Sequence, residues 1–171
     1  MTNQPIYMSM TGLREAKARL DRSCAEYDVI CKERVVAHEL SGDGWHDNPH
    51  FNRLQQLEAD KSREISALKA VIGVVRVVVI DPVRRPTDAV RLGSLVRVVT
   101  KQKSTGDELT ATWEIAGYDE TDAANGKLAY NSPLGAALIG REQGEVVEVA
   151  LATGTTEVCI DALLESTGAG T

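Results

Sequence analysis

Between Leu13 and Val79 the chain carries one proline, Pro49, and three glycines, Gly42, Gly44 and Gly73. Just beyond lies Asp81-Pro82-Val83-Arg84-Arg85-Pro86. A proline removes a backbone donor and clashes with the turn before it, so this segment cannot continue a helix, whereas the stretch before it can. A domain boundary is therefore expected here. Residues 1–80 form a first domain, residues 81–90 a linker, and residues 91–166 a second domain.

The first domain shows helical periodicity twice. Leu13, Ala16, Leu20, Tyr27 and Ile30 share one face, with Glu15, Lys17, Arg19, Asp21 and Arg22 on the other and Thr11 placed to cap the start. Phe51, Leu54, Ile65, Leu68, Ile72 and Val75 repeat in the same way, although Glu58 and Lys61 interrupt the stripe. Each helix would run about 25 to 30 residues, or roughly 40 Å. Two such helices around one short Gly-containing segment predict an antiparallel coiled-coil hairpin with its tip at residues 41–51. One narrow seam buries little area, so the hairpin suits a lever or probe.

The second half reads as strands separated by turns. Leu92–Thr100, Leu109–Ile115, Glu145–Leu151 and Thr156–Ile160 are rich in β-branched residues, and Gly106-Asp107 signals a hairpin turn. Between them, Asn131–Gly140 reads as a short helix, with Ser132 as N-cap, Pro133 at the first helical position and Gly140 as the stop. Leu134, Leu138 and Ile139 are its core-facing residues. A helix packed on a small antiparallel sheet makes the chain α+β.

Composition narrows the function. The formal net charge is −6 and the isoelectric point about 5.1, the wrong sign for gripping phosphate backbones directly. The first 80 residues are balanced, so all of the surplus acid lies in the second half. Aromatic residues are too few and scattered for a base-stacking platform. Cys24, Cys31 and Cys159 form neither a disulfide framework nor a zinc ribbon, and Cys24 and Cys31 are expected in the hairpin seam. No apolar run reaches the length of a membrane span, and the start has no signal-peptide pattern. A cytoplasmic protein without membrane contact is expected.

Three islands then point to a family. Asn131-Ser132-Pro133-Leu134-Gly135-Ala136-Ala137-Leu138-Ile139-Gly140, followed by Gly144-Glu145-Val146-Val147-Glu148-Val149, is similar to the pattern N-S-P-L-A-R-A-L-[IL]-G-K-x-x-G-D-x-V-x-V. Met10-Thr11-Gly12-Leu13 with Leu20, and Ile80-Asp81-Pro82, fall where that family has its first helix and the end of its hairpin. Over nearly its whole length the chain resembles the bacterial Gre family of transcript cleavage factors. The resemblance implies an N-terminal coiled coil and an FKBP-like C-terminal domain, similar to FK506-binding proteins. It implies binding to RNA polymerase, with the globular domain at the rim of the secondary channel and the hairpin reaching down it, so that RNA and DNA are approached only through the polymerase. It further implies no cofactor of the chain's own. Tip carboxylates would share the polymerase's second Mg²⁺, and the polymerase's own active site would cleave backtracked RNA. Oxygen donors suit that ion, and one or two borrowed carboxylates suffice.

On this resemblance Asp43 and Asp47 are the ligands, Gly42, Asn48 and Phe51 order the tip, and Ser132, Pro133 and Leu134 belong to the docking surface. The family tip reads G-D-L-x-E-N-x-E-Y. Here it is Gly42-Asp43-Gly44-Trp45-His46-Asp47-Asn48-Pro49-His50-Phe51, with one extra residue between the acids, Asp in place of Glu, and Phe51 in place of Tyr. A metal ligand displaced by about 1 Å loses much of its effect. A non-cleaving inhibitor with the same docking is therefore the second expectation. From other classes stand a metal-dependent hydrolase built on His46, Asp47 and His50, and a peptidyl-prolyl isomerase.

Overall fold

The computed structural model describes residues 5–42, 48–151 and 154–165. Its chain falls into two compact units. Among the described residues, one holds Leu13–Val75 with Pro5 and Ile6, and the other Tyr7–Gly12 with those from Arg76 onward.

The first unit is the helical hairpin. Helix α1 runs Met10–Ser41 (32 residues) and α2 runs Pro49–Val74 (26 residues). The start of α1 is capped by Ser9 and not by Thr11: Ser9 Oγ accepts from Gly12 N at 3.0 Å, and Thr11 already lies inside the helix. Ala37, Phe51 and Leu54 form a small buried cluster with Ile30 against it. Further along α2, polar residues take over the seam. Glu58 pairs with Arg34 and accepts from Tyr27 Oη at 3.5 Å. Lys61 Nζ lies 2.7 Å from Glu26 and 2.9 Å from Glu64, and Glu64 accepts from Ser23 Oγ at 3.2 Å. Partners on α1 fall in number as those on α2 rise, which is the antiparallel arrangement. The interruptions at Glu58 and Lys61 are thus the seam's own ion pairs.

These bonds bias the protons. Hydrogen bonding to Glu26 and then Glu64 raises the Lys61 ammonium above its ordinary value. The Lys61 bond holds the Glu64 carboxyl below its own. The hydrogen bond to Cys31, ahead of the charge on Glu58, raises the Tyr27 phenol. Cys24 and Cys31 are half-buried free thiols.

In the second unit, strands β3 (Leu95–Gln102), β4 (Glu108–Ala116), β5 (Lys127–Ala129), β6 (Val146–Leu151) and β7 (Gly154–Leu164) form one sheet in the order β5-β4-β3-β7-β6. Its pairs are antiparallel except β4 with β5, which are parallel because the connection after β4 loops back before β5 begins. Strand β3 starts three residues later than the sequence suggests, since Gly93 at φ +86° makes a turn in which Ser94 N donates to Arg91 O at 2.9 Å. Helix α3 (Pro133–Leu138) covers the sheet. Val90, Val96, Val98, Ile115, Leu138, Val158 and Ile160 are inaccessible to water at its centre.

Within residues 81–90, expected as a linker, Arg85 is 5% exposed. It donates to Gly93 O at 3.0 Å and to Glu114 Oε2 at 2.6 Å. Two short strands, β1 (Ile6–Met8) and β2 (Val75–Val77), pair with each other. The segment Tyr7–Gly12 is bound by Tyr118 N donating to Tyr7 O at 2.8 Å, Tyr7 N to Tyr130 Oη at 3.2 Å and Ser9 N to Glu120 Oε1 at 2.6 Å. A side chain at Gly12 would lie 2.0 Å from Glu120 Oε1, so it would displace the Glu120 carboxylate that accepts from Ser9 N. Among the described residues no helix is long and apolar enough to cross a membrane.

Candidate functional site

The end of the hairpin is built by the last turn of α1 and the first of α2. Helix α1 stops at Gly42, whose φ of +53° is the left-handed conformation that ends helices. Helix α2 starts at Asn48, which is extended (φ −84°, ψ 107°), with Pro49 next, where its missing N–H costs nothing. The Asn48 side-chain oxygen accepts from His50 N at 2.9 Å and Phe51 N at 3.4 Å, taking up two donors that the helix leaves unpaired. Its amide nitrogen donates to Ser41 Oγ across the gap.

Below this cap Phe51 is 3% exposed. Its ring centre lies 5.9 Å from the His38 ring and 5.9 Å from the Arg34 guanidinium carbon, within cation–π range. The aromatic position of the tip is therefore a wedge that spreads and fixes the two helix ends. Val35, Val36 and Leu40 are exposed on the last two turns of α1, Leu40 at 83%.

Of the residues expected at the tip, Gly42, Asn48 and Phe51 are among the described residues. Asp43 and Asp47, the expected carboxylates, lie outside the described residues, as do Trp45 and His46. His50 is exposed on the first turn of α2. Among the described residues no three His, Cys, Asp or Glu side chains come together as a metal site.

The second group lies at α3. Ser132 Oγ accepts from Gly135 N at 3.0 Å and donates to Ala129 O at 2.7 Å, while Leu134 packs on the core and Pro133 is exposed. Asn131 donates to Asp119 Oδ1 and accepts from Asp119 N, both at 2.9 Å, holding Asp119 at φ +57°. Gly135 replaces the Ala of the family pattern. A Cβ there would lie 2.1 Å from the backbone oxygen of Ala129, so the turn as it stands requires glycine at position 135.

Comparison with known proteins decides the assignment. The C-terminal GreA/GreB transcription elongation factor model matches residues 85–163. GreA of Sphingopyxis alaskensis, named a transcription elongation factor, is 35% identical over 154 residues, which is 88% of this chain and 90% of that protein. The chain belongs to the GreA/GreB family of transcription elongation factors. GreA of Roseiflexus castenholzii is 27% identical over 94% of this chain and 98% of its own. Among solved structures, Gfh1 of Thermus aquaticus aligns over 94% of this chain and 98% of that one, at 20% identity and a TM-score of 0.43. Membership in the GreA/GreB family does not favour the hydrolase and isomerase alternatives.

Ser41, the first residue of the stretch expected as the tip, instead lies in α1, where its Oγ accepts from Asn48 Nδ2. A hydroxyl in the last helical turn, seven residues before an N-cap Asn, is the signal that would have found it.

Proposed function

We propose that the chain binds bacterial RNA polymerase through its globular unit and presents the hairpin tip in the secondary channel, where Asp43 and Asp47 stimulate cleavage of backtracked RNA by the polymerase's own active site. The observation that carries this reading is the bracing of the tip. Gly42 ends one helix, Asn48 caps the other, and the two acids occupy the positions directly inside them. Two carboxylates are a donor set suited to a hard divalent ion. The Mg²⁺ they share with the polymerase would supply a metal-bound water as nucleophile, while this chain contributes position and charge. Val35, Val36 and Leu40 offer apolar contact surface at the tip end of α1. Docking of the globular unit uses the surface around exposed Pro133, with Ser132 and Leu134 setting the shape of that turn.

One observation favours a second reading. The acids are one residue further apart than in the family pattern, and the second is an Asp one methylene shorter than Glu. Such a tip would occupy the channel without cleaving and would slow synthesis. A stalled, backtracked polymerase distinguishes the two. The expected result is shortening of the RNA by the wild-type protein and its loss in Asp43→Ala/Asp47→Ala, with polymerase affinity unchanged. Slowed synthesis without any cleavage replaces the first reading by the second, and failure to bind polymerase removes both.

A further inference from the structure

Asp119 and Asn131 hold each other by two reciprocal bonds. Asp119 N donates to Asn131 Oδ1 and Asn131 Nδ2 donates to Asp119 Oδ1, each at 2.9 Å. The pair ties the loop after β4 to the turn that opens α3. Two further contacts run alongside it: the Tyr118 and Tyr130 rings meet edge to face with centres 6.4 Å apart, and Ala129 N donates to Thr121 Oγ1 at 3.1 Å. The turn itself is held by Ser132, whose Oγ donates to Ala129 O at 2.7 Å and accepts from Gly135 N at 3.0 Å. Among the described residues Asp119 is the one non-glycine residue with a positive φ, +57°. Left-handed backbone costs free energy at a residue with a Cβ, and it persists where the surroundings determine it, often at functional surfaces. Asp119 and Asn131 are both exposed, as is Pro133 two residues on. Water competes for exposed hydrogen bonds, so the pair adds little to stability. What it fixes is the place of one loop against the other.

From this we infer that Asp119 is a positioning residue of the docking surface. Acting through Asn131, it locks the loop of Tyr118 and Asp119 beside the turn that presents Pro133, so that Tyr118 and Pro133 meet RNA polymerase as one preformed surface. A surface ordered in advance has less freedom to lose on association. The inference rests on the docking reading under Proposed function, and its test separates the two. The first arm needs no polymerase. Hydrogen exchange of the Asp119 amide in the full-length protein is expected to quicken about tenfold in Asn131→Ala, which removes its acceptor. Equal exchange in wild type and Asn131→Ala overturns the tie.

The second arm measures the affinity of full-length variants for bacterial RNA polymerase. The Kd is expected to rise about fivefold in Asp119→Ala, which loses the acceptor, and in Asn131→Asp, which loses the donor and sets two carboxylates face to face. Asp119→Asn keeps both the acceptor and the tolerance of left-handed backbone, and is expected to match wild type. The swap Asp119→Asn/Asn131→Asp rebuilds the pair with its side-chain bond reversed, and should return the Kd to within about twofold of wild type. Urea midpoints should be unchanged throughout, because both positions are exposed. If Asp119→Asn weakens binding as much as Asp119→Ala, the carboxylate is itself the contact and the positioning role is overturned. A swap that does not rescue Asn131→Asp, or an affinity loss that tracks a lowered urea midpoint, overturns it too. Wild-type protein that does not bind polymerase refutes the docking reading and the role with it, while the exchange arm still decides the tie.

Discussion

In the globular unit Val96, Val98, Ile115, Leu138, Val158 and Ile160 are sealed from water, whereas the hairpin buries Ala37, Phe51, Leu54 and Ile65 and then relies on Lys61, Glu64, Glu26, Arg34 and Glu58. Both regions contain ion pairs, but in different surroundings. Arg85 is 5% exposed and Glu114 21%, while Lys61 is 21% exposed and its partner Glu26 61%. A charge deep in a low-dielectric site depends on its partner, and one at the surface has water as an alternative. The same bond type is therefore obligatory in one unit and dispensable in the other. A thin seam with wet flanks can therefore be held together without a thick core.

The sharpest way to break the comparison is Glu114→Ala. It leaves the Arg85 guanidinium buried with one backbone acceptor and is expected to cost about 3–5 kcal/mol, read as a lowered urea midpoint for the globular unit. If the loss is no greater than that of a surface pair, Arg85 is better solvated than its burial implies and the contrast between the units fails.

Next in size is Phe51→Ala, expected to cost about 3 kcal/mol, measured by the loss of helical circular dichroism on heating. The hairpin's apolar anchoring is concentrated at the tip end, so this one ring stands in for a core. Phe51→Tyr, the family residue, sharpens the test. It should retain most of the stability, because the ring already has polar neighbours in His38 and Arg34, each 5.9 Å from its centre.

Much of this division was legible before any coordinates. Three- and four-residue spacing located both helices, and Ser132-Pro133 located α3 with its cap, because these signals are local in sequence. Glu58 and Lys61 were visible as interruptions, but their partners Arg34, Glu26 and Ser23 lie on the other helix, and a pattern within one helix carries no register between two. The cap at Ser9 was missed because the helix begins one residue before Thr11, at Met10. The parallel pairing of β5 and the β1–β2 ribbon were missed because three-residue strands are too short for alternation to show. At the tip, Gly42, Asn48 and Phe51 could be read because each has a local conformational reason. Ser41 could not, since its significance comes from a residue on the next helix.

The smallest expected effect tests the ionic half of the contrast. The Glu64 carboxyl is held below its ordinary value chiefly by its bond to Lys61. Its contribution to the hairpin is then present above the ordinary glutamate value and is lost as pH falls through the depressed folded value. Lys61 is raised, chiefly by its bond to Glu26, so its contribution is complete below the ordinary lysine value and is lost as pH rises through the raised folded one. The hairpin's melting temperature should therefore be level around neutrality and decline on both the acid and the alkaline side. Glu64→Gln should flatten the acid decline and leave most of the alkaline one, because Glu26 still faces Lys61 at 2.7 Å. Added salt should shrink both declines, since these side chains remain within reach of solvent and its ions. If the acid limb of Glu64→Gln matches that of the wild-type protein, the seam owes its pH dependence to other carboxylates, and Lys61 is an interruption of the apolar stripe after all.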